Sequence, residues 1–235
     1  IDIAVHSLKD MPSSLTTELV IAAVPEREDP RDALISRKGI LLEDLPSGSR
    51  IATGSIRRQA LVKSMRPDLT VEPVRGNVET RLEKLRQTDG PDAVILATAG
   101  LNRLGLQDQI SQHLSCMKFV AAVGQGALAV ETRADDNFTT NLAAKIDHLQ
   151  TRLAITAERA FLQVIGGGCS SSVSAHAKIA EQQIEISAFA STPDASTFLR
   201  ERVTGKASDA ANIGVSLGES FVAQGVRQLL SEDPV

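Results

Sequence analysis

RIATGSIRRQALVKSMRPDLTVEPVRGNVETRLEKLRQTDGPDAVILA, from Arg50 to Ala97, decides the fold of this chain. Arg50–Thr53 reads as a short strand that feeds a helix from about Ser55 to Met65, which Pro67 ends. Thr70–Val74 is a second strand. Val78–Gln87 puts Val78, Leu82 and Leu85 on one helical face. Asp92–Ala97 is a nearly pure apolar strand, of the kind a parallel sheet buries on both faces. Strand–helix–strand–helix–strand is an α/β signature.

Upstream, Ile1–Val5 reads as a buried strand emptying into a loop at His6-Ser7, with further strands at Leu19–Val24 and Ala33–Ser36. Downstream, Ala127–Glu131 is a strand, and Asn137–His148 and Thr151–Val164 are helices. After Cys169 the pattern changes. Val173–Ile179, Gln183–Ala190 and Thr197–Val203 predict an antiparallel three-stranded meander, closed by a helix over Ser208–Gln224. A small α+β domain from about residue 150 follows, with Cys169 near its entrance.

At 235 residues the chain is long enough for two domains or more. Six Phe with no Tyr or Trp leave few stacking platforms, which argues against a single-stranded nucleic-acid partner. Two cysteines, Cys116 and Cys169, argue for a reducing compartment over a disulfide framework. No apolar run reaches the ~20 residues of a membrane span, and no signal peptide is visible. A soluble, cytoplasmic protein without a membrane partner is expected.

The net charge is −4, yet cations concentrate between residues 50 and 86. Arg50, Arg57, Arg58, Lys63, Arg66, Arg75, Arg81, Lys84 and Arg86 stand there against Asp68, Glu72, Glu79 and Glu83. Lys63, Lys84 and Arg86 read as solvated helix faces. The others invite an anion.

Open α/β sheets bind ligands at the carboxyl ends of their strands. Three segments fall there: His6–Asp10, Thr53–Arg58 and Arg75–Arg81. In the last two, free N–H groups at a helix N-terminus coincide with arginines, whose planar forks grip carboxylate or phosphate. Arg57, Arg58, Arg75 and Arg81 therefore suit one polyanion site. No phosphate-binding glycine motif occurs, which disfavours a nucleotide. Asp10 is either a loop cap and salt-bridge partner or a carboxylate facing a cation that develops during reaction. His6 and Ser7 do not make a catalytic pair, because neighbours in a strand point to opposite faces. Gly166-Gly167-Gly168-Cys169 leaves a thiol uncrowded, either as an incidental turn or as a site of chemistry.

VHSLKDMPSSL, EREDPRDALIS, ATGSIRRQALVKSMRPDL, PVRGNVETRLEKL, DAVILATAGLNRLGL, AVGQGALAVE and GGGCSSSVSAHA follow one another here as in porphobilinogen deaminases, also called hydroxymethylbilane synthases. The chain resembles that family over essentially its whole length. The resemblance implies two α/β domains like those of periplasmic binding proteins, the first truncated, plus a small C-terminal α+β domain. The corresponding divisions are residues 1–25 with 127–147, 26–126, and 148–235.

It also implies a transferase of tetrapyrrole biosynthesis. Four porphobilinogen molecules are condensed into hydroxymethylbilane with loss of ammonia, primed by a dipyrromethane cofactor held through a thioether. Cys169 would be the attachment point and Asp10 the catalytic carboxylate. Lys9, Thr53, Ser55, Arg57, Arg58, Arg75 and Arg81 would hold the cofactor. Ser7, Arg57, Arg75, Arg81, Arg103 and Gln125 would bind porphobilinogen and the growing polypyrrole, whose acetate and propionate groups make it a polycarboxylate. No metal and no nucleic acid are implied, and a monomer is expected. Cys116 has no counterpart motif and reads as structural.

Ser171 and Ser172 depart from the apolar residue and proline usual after the cysteine, and Ala121 stands where proline is common. The chain opens inside a strand without Met, as if an N-terminal segment were lost. On that reading the isolated chain is expected to be a poor catalyst. The competing function is a non-enzymatic α/β polycarboxylate-binding protein with an incidental cysteine.

Overall fold

The computed structural model describes residues 1–14, 16–166 and 171–231. In chain order its elements are β1 (Ala4–Ser7), β2 (Leu19–Ala23), β3 (Asp32–Ser36), β4 (Arg50–Ala52), α1 (Ile56–Met65), β5 (Thr70–Glu72), α2 (Val78–Arg86), β6 (Ala93–Ala97), α3 (Thr98–Arg103), β7 (Gln112–Leu114), β8 (Leu128–Arg133), α4 (Asn137–Ala143) and α5 (Leu149–Ile165). They continue with β9 (Val173–Ala180), β10 (Gln183–Ser191), β11 (Phe198–Lys206), α6 (Ala210–Ala223) and α7 (Val226–Ser231). The fold is mixed α/β, as expected, with three sheets among the described residues.

The central sheet has the order β5-β4-β6-β3-β7. β4 runs parallel to β5 and β6, whereas β3 is antiparallel to both β6 and β7. The apolar strand β6 is therefore buried on both faces within a mixed sheet, not a wholly parallel one. Its side chains alternate: Ala93 and Ile95 join Leu34, Ile51, Leu61 and Phe119 on one face. Val94 and Leu96 join Ala33, Ile35, Leu82 and Leu85 on the other.

Caps fix the helices. The Ser55 hydroxyl accepts from the Arg58 N–H, and Asn77 Oδ1 accepts from the Thr80 N–H at 2.8 Å.

A three-stranded antiparallel sheet, β1-β8-β2, holds the first strand, which runs on through His6 and Ser7 where a loop was expected. The meander β11-β10-β9 forms the third sheet. One face packs on α5 and α6, where Phe161 and Phe221 meet edge to face at 5.2 Å between ring centroids. On the other face, Phe189 enters the core of the central sheet. α5 ends at Gly166, whose φ of +77° supplies the left-handed C-cap.

His176 lies on that second face of β9, and burial depresses its imidazole to about 4. Between the ordinary value of 6.5 and about 4, the unfolded chain takes up a proton that the folded chain refuses. Stability should therefore fall with acidity across that window, by up to about 1.4 kcal/mol per pH unit. Urea midpoints at pH 7 and pH 5 check this. The drop should shrink in His176→Gln, and an equal drop in that variant would remove His176 as its source.

Candidate active site

A cleft of about 640 Å³ opens where the three sheets converge, and its wall draws on segments far apart in sequence. The turn after β1 contributes Lys9 and Asp10, the last residues of a short 3-10 turn, followed by Met11, Pro12 and Ser13. The N-terminal turn of α1 contributes Gly54, Ser55, Arg57 and Arg58, and α2 contributes Arg81. The crossover before β8 supplies Ala122, Val123 and Gln125. Arg159 and Leu162 of α5, with Ser171 and Val173, complete it.

Beneath the cleft lies a carboxylate that the sequence reading left without a role. Asp32, at the head of β3, is fully buried. Its Oδ2 accepts from Arg57 Nη1 at 2.8 Å, and its Oδ1 from Arg58 Nε at 2.8 Å and Gln125 Nε2 at 3.0 Å. Arg57 also donates to the Val120 carbonyl, and Arg58 to that of Ile95. Burial alone would raise the Asp32 carboxyl, but the two guanidiniums outweigh it and hold the group at about 2. Two guanidiniums sharing one carboxylate leave a net positive charge beneath the cleft. Burial, and then the Arg58 charge, push the nearby Lys9 ammonium below its ordinary value.

A second buried node fixes the crossover. Glu158, fully buried on α5, accepts from Arg27 Nη1 at 2.6 Å, from the Gly124 N–H at 2.8 Å and from the Ala177 N–H at 2.8 Å. One carboxylate thus ties Arg27, the segment Ala121–Gly126, α5 and β9 together. Gly124 has φ +73°, and a Cβ there would sit 2.3 Å from the Leu8 side chain and 3.1 Å from the Lys9 backbone nitrogen. Only glycine lets the crossover press against the turn that carries Asp10.

The expected residues are partly gathered. Asp10, Lys9, Ser55, Arg57, Arg58, Arg81 and Gln125 line one cleft. Thr53 does not: it is fully buried, its hydroxyl accepting from the Ser55 N–H at 3.3 Å, so it shapes the turn from beneath. Arg75 is exposed and absent from the wall, whereas Arg81 lines it and donates to the Gly76 carbonyl. Arg103 is exposed and donates to the Gly126 carbonyl at 3.2 Å, outside the wall. Ser7 faces a neighbouring cavity of about 340 Å³, which it shares with His6, Asp10 and Glu131. Cys169 lies outside the described residues, three positions beyond the α5 cap. The Cys116 thiol is pushed up to about 11 by burial, which suits an unreactive structural cysteine.

Asp32, Arg27, Glu158 and Arg159 were missed. Asp32 had a readable signal, an acid heading a strand buried on both faces. So did Glu158, which occupies a core position in the helical series Ala154, Ala157, Phe161 and Ile165. Arg159 had none.

Residues 1–141 match the family model described as "Porphobilinogen deaminase, dipyromethane cofactor binding domain", and residues 152–223 match "Porphobilinogen deaminase, C-terminal domain". The chain belongs to the porphobilinogen deaminase family. The porphobilinogen deaminase of Roseiflexus sp. is 46% identical over 98% of this chain and 76% of its own length. That of Alkaliphilus metalliredigens is 43% identical over 98% and 72%. Among solved structures, a YaeC-family lipoprotein from Enterococcus faecalis overlaps 55% of this chain and 62% of its own at 15% identity. Its TM-score of 0.38 is too slight a likeness to carry an argument. No described helix is long and apolar enough to cross a membrane.

Proposed function

We propose that this cleft is where the porphobilinogen deaminase reaction takes place, with Asp10 as the catalytic carboxylate and Lys9, Arg57, Arg58 and Arg81 as carboxylate-binding residues. The chain is a hydroxymethylbilane synthase. It condenses four porphobilinogen molecules head to tail into hydroxymethylbilane and releases ammonia at each condensation. The carrying observation is the composition of the wall: Lys9, Arg57, Arg58, Arg81 and Arg159 stand around Asp10, the one carboxylate among the described wall residues.

The donor set fits the family's dipyrromethane, whose acetate and propionate groups are anions and whose pyrrole N–H groups are donors. When bound, that group supplies the primer on which the chain is built. Arginine forks and the Lys9 ammonium neutralise the carboxylates and fix the register of the rings. Each condensation breaks a C–N bond, forms a C–C bond and places positive charge on pyrrole nitrogen. A carboxylate at Asp10, accepting a ring N–H, stabilises that charge more in the transition state than in the ground state. Gln125 steadies Asp32, and Asp32 holds Arg57 and Arg58 at the cleft. Ser7, Thr53, Arg75 and Arg103 are assigned supporting places around it, and Cys169 the attachment of the primer.

Three sheets support a division into two α/β units like those of periplasmic binding proteins, 1–25 with 127–147 and 26–126, and an α+β unit over 148–235. Turnover assays on the complete gene product test the function. Four porphobilinogen molecules should be consumed, and four of ammonia released, per hydroxymethylbilane, and Cys169→Ser should abolish this. Undiminished turnover in that variant would contradict the reading.

A further inference from the structure

Among the described arginines of the cleft, Arg81 and Arg159 form no ion pair, and of these two Arg159 comes from α5, opposite the helices that carry Arg57, Arg58 and Arg81. Arg57 and Arg58 share Asp32, whereas no carboxylate among the described residues lies within ion-pair distance of Arg159. It shares α5 with Glu158, but successive helical residues diverge by about 100°, so Glu158 turns inward to Arg27 while Arg159 lines the cleft. Its Nη2 donates to the Pro12 carbonyl at 2.9 Å and the Ser13 carbonyl at 2.8 Å. Nε and Nη1 have no hydrogen-bond partner among the described residues. Burial lowers its pKa. A half-buried cation without a counter-charge, in a cleft built for polycarboxylates, is completed by an anionic ligand.

We infer that Arg159 is a further carboxylate-binding residue of the cleft, gripping an acetate or propionate group of the polypyrrole from the α5 wall while Arg57, Arg58 and Arg81 grip from α1 and α2. This rests on the function proposed above. The rival role is purely mechanical, a brace for the Pro12–Ser13 turn. Gln163, one helical turn later, provides the comparison, since its Nε2 donates to the same Ser13 carbonyl at 2.7 Å without bearing charge.

The test is calorimetric binding of free dipyrromethane tetracarboxylate to the complete gene product in a Cys169→Ser background, across a salt series. Arg159→Gln should weaken binding about tenfold or more and flatten the salt dependence by about one charge. Gln163→Ala should bind within about twofold of its parent, and Arg159→Lys should keep the parent's salt dependence. Equal affinity in Arg159→Gln, an equal loss in Gln163→Ala, or a flattened slope in Arg159→Lys would each overturn the inference. Absence of binding by the parent would overturn the function reading as well, which separates the two failures.

Discussion

Asp32→Ala should destabilise the protein by about 3–5 kcal/mol, the usual consequence of removing one partner from a buried ion cluster. For a chain of this size that lowers the melting temperature by roughly 10 °C. The variant leaves Arg57 and Arg58, each 5% exposed, facing one another with no charge between them. Gln125 loses an acceptor in the same stroke. The wild-type carboxyl is held at about 2, against an ordinary 3.8, so it contributes stability above pH 4 that disappears as pH falls toward 2. Thermal melts of both proteins at pH 7 and pH 3 check both parts. The gap should be wide at pH 7 and narrower at pH 3. A difference below about 1 kcal/mol at pH 7 would mean that the arginines find other partners.

Asp10→Asn has the opposite profile. Asp10 is exposed at the cleft, no described cation forms an ion pair with it, and stability should change by no more than about 0.5 kcal/mol. Turnover should fall about a hundredfold or more, because a neutral amide cannot offset positive charge developing on a pyrrole nitrogen. The loss should appear in kcat with little change in KM, as expected of a contact made mainly in the transition state. Measured on the complete gene product, near-normal kcat would remove Asp10 from its role, and a loss confined to KM would make it a ground-state contact.

Much of the fold was legible because its elements obey a period. β6 reads as an apolar strand whether its neighbours are parallel or not, so its existence was readable and the direction of its partners was not. β7 was invisible for a related reason. Gln112-His113-Leu114 has no strand pattern of its own and exists by pairing with β3. α7 likewise lies beyond a stretch that already read as the closing helix.

The cleft was legible where chemistry and position coincide, as at Arg57, Arg58 and Asp10. It was illegible where three-dimensional turning decides. Arg75 and Arg81 look equivalent in sequence, yet only Arg81 lines the cleft, while Arg75 is exposed outside it. Thr53 and Ser55 look like paired hydroxyl donors, yet one lies beneath the turn and the other in the wall. The buried nodes Asp32 and Glu158 are long-range: their partners are 19 to 131 residues away, beyond any local pattern.

If this cationic cleft serves a primer anchored on Cys169, the protein carries that primer in its mass. Intact-mass spectrometry of the complete gene product, followed by peptide mapping, tests it most directly. One dipyrromethane should be found, on the peptide carrying Cys169, and none in Cys169→Ser. A wild-type protein of unmodified mass, or an adduct mapped to Cys116, would contradict it.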